Sequence, residues 1–240
     1  MKKVKNAIAL AAIMLGMSTT AFAQDGLSIR VGGSFPVGAF AQGSAGDMAL
    51  LTEASEYGAA AIGYNAGLKY QYNLINGLSA FASADVFYNG LNKDVTNDLK
   101  GDYENITLPS YLNIPVMVGI NYAFLNFEKV SLWAEAGAGV NIRHITTSTA
   151  SVAVGTIVSG EKESVYDSST SFVWQAGIGV SLSKFSLSAH YYGLGESTIN
   201  GESTLSADLG GILSGTSEPA AFTAGKLSPS MVVARLSYTF

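Results

Sequence analysis

From Leu27 onward, apolar and polar side chains alternate with a period of two, the spacing of an extended strand whose successive residues point to opposite faces. Ala60, Ile62, Tyr64, Ala66, Leu68, Tyr70, Tyr72 and Leu74 fall on one face, and Gly63, Asn65, Gly67, Lys69, Gln71 and Asn73 on the other. This run of some fifteen residues is longer than an ordinary globular strand. Asn76-Gly77 gives a tight hairpin signal. Leu78, Ala80, Ala82, Ala84, Val86 and Tyr88 then continue the apolar face against Ser79, Phe81, Ser83, Asp85, Phe87 and Asn89. The same rule predicts a first strand at about 27–38 and others at about 110–124, 130–145, 170–183, 185–195 and 229–240, eight in all.

The connections alternate in length. Short turns fall at Ile75 to Gly77, Leu125 to Lys129 and Ser183 to Lys184, whereas the connections at 39–58, 90–109, 146–169 and 196–228 are long. Transmembrane barrels have short periplasmic turns, long external loops and an even strand number, and closure leaves no unpaired sheet edge in hydrocarbon. The predicted fold is therefore all-β, an eight-stranded antiparallel transmembrane β-barrel. A soluble lipocalin-like barrel is the competing architecture, but it would turn its apolar face inward and has no reason for two-sided loop lengths.

Composition adds to this picture at the N-terminus. Lys2, Lys3 and Lys5 precede an apolar stretch from Ala7 to Met17 that is too short to span a bilayer, and Ala21-Phe22-Ala23 is a small-residue cleavage site. Residues 1–23 read as a signal peptide cut between Ala23 and Gln24, leaving 24–240 as one barrel domain. An uncleaved N-terminal anchor is the competing reading. The chain is 48% hydrophobic and 13% charged, yet after the N-terminus it has no apolar run of helix-spanning length. It contains no Cys, which removes disulfides, thiolate metal sites and thiol nucleophiles.

Aromatics gather near the short turns: Tyr70 and Tyr72, Phe124 and Phe127, Phe185, and Tyr238 with Phe240. They predict a girdle at the headgroup level. Ser237-Tyr238-Thr239-Phe240 resembles the terminal aromatic signature of outer-membrane barrels. Tyr111-Leu112-Asn113-Ile114-Pro115, followed by Val116, Val118, Ile120 and Tyr122, resembles the Y-L-x-I-P strand of the outer membrane protein β-barrel domain family, a group of OmpA- and OmpX-like small barrels. The resemblance spans the mature chain. It implies the cell outer membrane as location, outer-membrane lipid and lipopolysaccharide as surroundings, and recognition of Tyr238 and Phe240 by the barrel-insertion machinery. The chain stops at Phe240, so a following peptidoglycan-binding domain like that of OmpA is not expected.

With the apolar face toward lipid, the lumen receives Arg30, Lys69, Asp85, Glu135, Arg143, His190 and Arg235. Eight strands enclose a space about wide enough for side chains to fill, so these charges are expected to pair across a plugged interior. The alternative is a narrow gated pore for small solutes. Gly137, Gly139, Gly177 and Gly179 share the inward parity and make room for Trp133 or Phe81. Their Gly-x-Gly spacing is no nucleotide fingerprint, because no βαβ unit follows, and no cofactor is expected.

Turnover chemistry has little to stand on. His190 shares a row with Ser186 and Ser188, but residues two apart on a strand lie about 7 Å apart, beyond a direct nucleophile-base hydrogen bond. His144 lies near the outer end of its strand, where an outer-rim lipid or peptide hydrolase would place such a group.

The long connections are the expected working surface. They hold Asp47, Glu53, Glu56, Asp94, Asp98, Asp102, Glu104, Glu161, Glu163, Asp167, Glu196, Glu202, Asp208 and Glu218, against only Lys93, Lys100, Lys162 and Lys226. About ten net negative charges argue against nucleic acid and permit divalent cations or basic surfaces, leaving the extracellular partner unknown; a solvated face beside anionic lipid headgroups is the competing reading. Val152, Val154, Thr156 and Val158 alternate as a protruding hairpin would, with an edge that another strand can join.

Overall fold

The structure is a computed structural model and describes residues 26–44, 46, 48, 55–75, 77–102, 105–127, 130–154, 158–209 and 214–240. Ala23 and Gln24, with the rest of the expected signal peptide, lie outside the described residues, as do Asp47, Glu53, Asn76, Glu104 and Thr156.

In chain order the elements are β1 (Gly26–Val37), a 3-10 turn (Gly38–Phe40), β2 (Gly63–Ile75), β3 (Leu78–Asn89), helix α1 (Lys93–Asp102), β4 (Asn105–Thr107), β5 (Tyr111–Phe127), β6 (Val130–Ile145), β7 (Ser148–Val154), β8 (Val158–Tyr166), β9 (Ser169–Leu182), β10 (Phe185–Gly193), β11 (Ser197–Leu209), β12 (Ser214–Thr216), β13 (Ala220–Leu227) and β14 (Ser230–Thr239). Eight of them close into an antiparallel barrel in the order β1-β14-β10-β9-β6-β5-β3-β2. The seam is formed by the chain ends, where β1 and β14 pair from Ser28↔Thr239 to Val37↔Ser230.

The barrel is inside-out. Val118 is 67% and Ile178 65% exposed on its outer face, whereas Asn113 and Asn141 are fully enclosed. Such an outer surface is stable only against lipid.

Local departures from regular pairing have local causes. Pairing of β3 with β5 lapses at Asp85 and Val86, opposite Ile114 and Pro115, where the proline offers no N–H. A bulge between Ala123 and Leu125 exposes both Phe124 and Leu125 and lets β5 run on to Phe127, so the expected turn at Leu125 to Lys129 is shorter than predicted. The second strand also begins later than its pattern suggests. Ala59 takes a left-handed φ of 47°, and Ala60 turns inward in a bridge to Leu91, so Ala60 is buried and not on the lipid face.

The larger difference lies in the long connections, which the sequence pattern leaves as loops. The second carries α1, whose start is capped by Asn92: its side-chain oxygen accepts from the Asp94 N–H at 2.7 Å. The third is the expected hairpin, β7 with β8, and the fourth supplies β11, β12 and β13. Together with β4 these strands make a second sheet in the order β12-β11-β8-β7-β4, with β13 added to β11. The edge of β7 expected to be open is covered by β4 at Thr149, Ala150 and Ser151.

Candidate functional site

Two buried carboxylates organise the lumen, and each is met by strands from across the barrel. Glu135 on β6 accepts from His190 Nε2 on β10 at 2.9 Å, Gln175 Nε2 on β9 at 2.9 Å and Asn121 Nδ2 on β5 at 3.3 Å, and it forms an ion pair with Lys69 on β2. Asp85 on β3 receives Arg30 NH2 of β1 on both oxygens, at 2.9 and 2.7 Å, and Arg235 NH2 of β14 lies 3.4 Å away. Every barrel strand therefore contributes to one of the two knots. Arg235 also donates to Asn65 Oδ1 at 2.9 Å and to the Tyr192 hydroxyl at 2.6 Å. Lys69 lies over the rings of Phe81 and Trp133, its Nζ 4.7 and 5.2 Å from their centroids, adding a cation–π contribution.

Missing side chains make this packing possible. A Cβ on Gly177 would lie 2.0 Å from the His190 ring, and one on Gly179 would lie 2.2 Å from Trp133. Gly137 likewise clears the ring of Phe81, while Gly139 faces the backbone of Val116.

Arg143 does not join the ionic network. It sits nearer the long-loop end and donates to Asn113 Oδ1 at 3.3 Å and to the backbone oxygens of Leu227 and Gly195 at 3.1 and 3.0 Å, and it also bonds Ser197. Its donors serve carbonyls at the mouth, tying the connections on either side of β11 and β13 to the barrel wall.

On the short-turn side of Glu135 the lumen is open and polar. A cavity of about 770 Å³ reaches from the turn residues Asn126, Ser183 and Lys184 inward to Arg30, Lys69, Trp133, Glu135 and His190. On the other side of Asp85 the lumen is filled and apolar. Phe87, Met117, Val173, Tyr192, Met231 and Val233 from the wall pack with Phe40, Leu91, Val95, Leu194, Ile199 and Leu227 from the connections. The Phe40 ring meets Tyr111 edge-on at 5.1 Å, and the Tyr111 hydroxyl donates to Gly58 O at 2.7 Å.

This apolar core continues into the second sheet, since Tyr166, Ile199 and Ala224 belong to the same cluster. Burial pushes the Tyr166 phenol above its ordinary pKa, although its hydrogen bond with Ser148 works the other way. The opposite face of this sheet is polar and acidic. Thr149, Glu163 and Thr204 stand in one cross-strand row, Ser151, Glu161 and Ser206 in the next, and Val165 pairs with Glu202. All three glutamates on this face are exposed.

The aromatic residues lie at both ends of the lipid face. Near the short turns, Tyr72, Phe124, Phe127 and Phe185 are exposed and Tyr70 half-buried. Phe185 meets Tyr238 edge-on at 5.1 Å, Tyr238 meets Phe240 at 5.3 Å, and Phe240 N donates to Leu27 O at 3.1 Å. A second belt at the other end, which sequence reasoning missed, pairs Tyr64 with Tyr88 at 5.2 Å and Trp174 with Tyr191 at 5.3 Å.

The two histidines have different partners from those in their own rows. His190 bonds Glu135 and not Ser186 or Ser188, whereas exposed His144 Nδ1 lies 3.2 Å from Ser168 Oγ on the neighbouring segment. Asn65, Asn121, Gln175 and Tyr192 were also missed as network members. Their inward parity was the available signal.

No curated protein matches the sequence. Solved structures similar to the chain at low identity include two bacterial surface proteins and a major outer membrane protein. Ail, the attachment invasion locus protein of Yersinia pestis, is 16% identical over 90% of this chain and 100% of that one, with a TM-score of 0.39. Neisserial surface protein A is 10% identical over 89% and 97%, with a TM-score of 0.40. A major outer membrane protein from Thermus thermophilus is 10% identical over 90% and 100%, with a TM-score of 0.42. The sequence family described as outer membrane protein beta-barrel domain matches residues 22–198. A closed barrel of eight antiparallel strands with a lipid-compatible exterior and that match lead to one assignment: the chain belongs to the outer membrane protein beta-barrel domain family and resides in the outer membrane.

Proposed function

We propose that this protein is a non-catalytic outer-membrane anchor that presents its second sheet outside the cell as a contact surface for a basic partner. The observation that carries the reading is the continuous apolar core running from Met117 and Val233 in the lumen to Tyr166 and Ile199 beneath the sheet. A surface held this way is rigid, and rigid surfaces lose little freedom on binding. Its outward rows of Glu161, Glu163 and Glu202 with threonines and serines suit a cationic partner, and β12 is exposed along its length as a sheet edge.

The test uses the protein refolded into phosphatidylcholine vesicles and a surface coated with polylysine. Vesicles carrying wild type should be retained about tenfold over empty vesicles at low salt, and Glu161→Gln/Glu163→Gln/Glu202→Gln should lose most of that difference. Retention no better than that of empty vesicles would overturn the reading.

A small-solute channel is less compatible with the apolar filling around Phe87, Met117 and Tyr192. Planar-bilayer recording should show no conductance above the bare bilayer, for wild type and for Glu135→Ala.

Export with cleavage after Ala23 is part of the same proposal. N-terminal sequencing of the outer-membrane form should begin at Gln24; a mature chain starting at Met1 would exclude it. Recognition of the terminal aromatic by the insertion machinery predicts that deleting Phe240 lowers the amount of barrel inserted in cells while sparing refolding in detergent.

A further inference from the structure

The blind cavity at the short-turn end has no part in the contact surface outside the cell. At about 770 Å³ it is within the range of small-molecule sites, and its mouth is framed by Asn126, Phe127, Ser183 and Lys184 on the periplasmic side. Its far end is closed by the apolar filling beyond Asp85.

The lining has a specific chemistry. Arg30, Lys69 and Lys184 supply the positive groups, with His190 beside them, and among the described residues lining the cavity Glu135 is the one carboxylate. Glu135 is wholly enclosed and already accepts from Lys69, His190, Gln175 and Asn121, so its charge is spent on groups of the wall. Asp85, the partner of Arg30, does not line the cavity. Arg30 and Arg235 share Asp85, and Lys69 pairs with Glu135, so three enclosed cations stand against two carboxylates, and Lys184 adds a further charge at the mouth. The cavity wall therefore carries a net positive charge in a space enclosed by protein, where Coulombic attraction is less screened than in open water.

Along one side of the cavity, on the neighbouring strands β9, β10, β14 and β1, stands an arc of hydroxyls: Ser28, Ser181, Ser186, Ser188, Ser237 and Thr239. Ser28 pairs with Thr239 and Ser181 with Ser186, each at 2.8 Å, so these four hydroxyls are ordered before any guest arrives. Trp133 stands in the same wall, its Nε1–H held by Ser181 Oγ at 2.9 Å.

From this arrangement we infer that the cavity is a binding site, entered from the periplasm, for a small anionic polyhydroxylated molecule of the sugar-acid class. The carboxylate lies toward Lys69 and Arg30, and the ligand's hydroxyls exchange hydrogen bonds with the hydroxyl arc.

The chain has two tryptophans, so Trp174→Phe leaves Trp133 as a fluorescence reporter within the cavity wall. The full-length mature protein, refolded in detergent, is titrated with galacturonate, with galactose as the neutral match and with inorganic phosphate as an anion lacking the hydroxylated body. Galacturonate should give a saturable change that weakens as salt is raised, galactose should give none, and phosphate should bind at least about tenfold more weakly. Lys184→Gln, at an exposed turn, should weaken galacturonate about threefold. Ser188→Leu should abolish binding by filling the cavity, with folding checked by heat-modifiable migration. If Ser188→Leu does not fold, the galactose control and Lys184→Gln still decide. The inference is overturned by an unsaturable response to galacturonate, by equal binding of galactose or phosphate, by unchanged affinity in Lys184→Gln, or by full binding in a folded Ser188→Leu.

Discussion

The two halves of the lumen are built from the same eight strands and solve different problems. Toward the short turns, the interior holds serines, amides and the Glu135 knot around a cavity; toward the long connections, it holds Phe87, Met117, Tyr192 and Val233 packed as in a water-soluble core. The first half is specified by hydrogen-bond geometry, where an unpaired partner is expensive. The second is specified by volume, where a missing methyl group leaves a hole. The comparison teaches that a narrow membrane barrel need not be polar throughout. Once the connections fold over the mouth, water is excluded and apolar side chains become the better filling.

The largest expected effect is in the polar half. Glu135→Ala strands Lys69, with its side chain only 9% exposed, beside three orphaned donors and should lower stability by about 3–5 kcal/mol. Urea midpoints of the refolded protein in vesicles measure this, and Glu135→Gln/Lys69→Met should recover much of the loss. If the double variant is no better than Glu135→Ala, the charge balance is not what holds this half.

Next in size is a truncation in the apolar half. Leu227→Ala removes a fully buried side chain from the cluster and should cost about 3 kcal/mol. Its conservative counterpart Leu227→Met should cost less than about 1.5 kcal/mol, and equal losses would contradict a volume-specified core.

Gly179→Ala probes the polar half again, on the short-turn side of Glu135, because the new methyl group must displace the Trp133 ring. A loss of about 1–3 kcal/mol with a shift in Trp133 emission is expected, and unchanged emission would place the ring elsewhere. The smallest effect is assigned to Ser188→Ala on the cavity wall, within about 0.5 kcal/mol of wild type. A loss above that would make the arc of serines part of the polar scaffold.

The barrel was legible because lipid on one side and a lumen on the other impose strict alternation. The segments 78–89 and 130–145 follow that pattern and coincide with β3 and β6. The second sheet was harder to see. Residues such as Ser203, Thr204 and Ser206 make both faces of β11 partly polar, so the period-two contrast is weak where one face meets water and the other a small core. α1 was hidden by its polar sequence, in which Val95 and Leu99 are the residues that reach the cluster. In the lumen, the charged residues drew attention to inward parity, but Met117, Val173, Met231 and Val233 share it. Their run toward the long-connection ends was a readable sign of the apolar half. The position of Arg143 depends on carbonyls of Gly195 and Leu227, which no pattern within its own strand reveals.

The two carboxylate knots act as a check on alignment during assembly. Asp85 gathers β1, β3 and β14, and Glu135 gathers β2, β5, β6, β9 and β10. A strand that joined one residue out of step would swing its contribution into the oil and abandon a charge indoors. Hairpins exchanged between related barrels should therefore be accepted only in sets that keep both knots whole, which makes wrongly threaded closures self-eliminating.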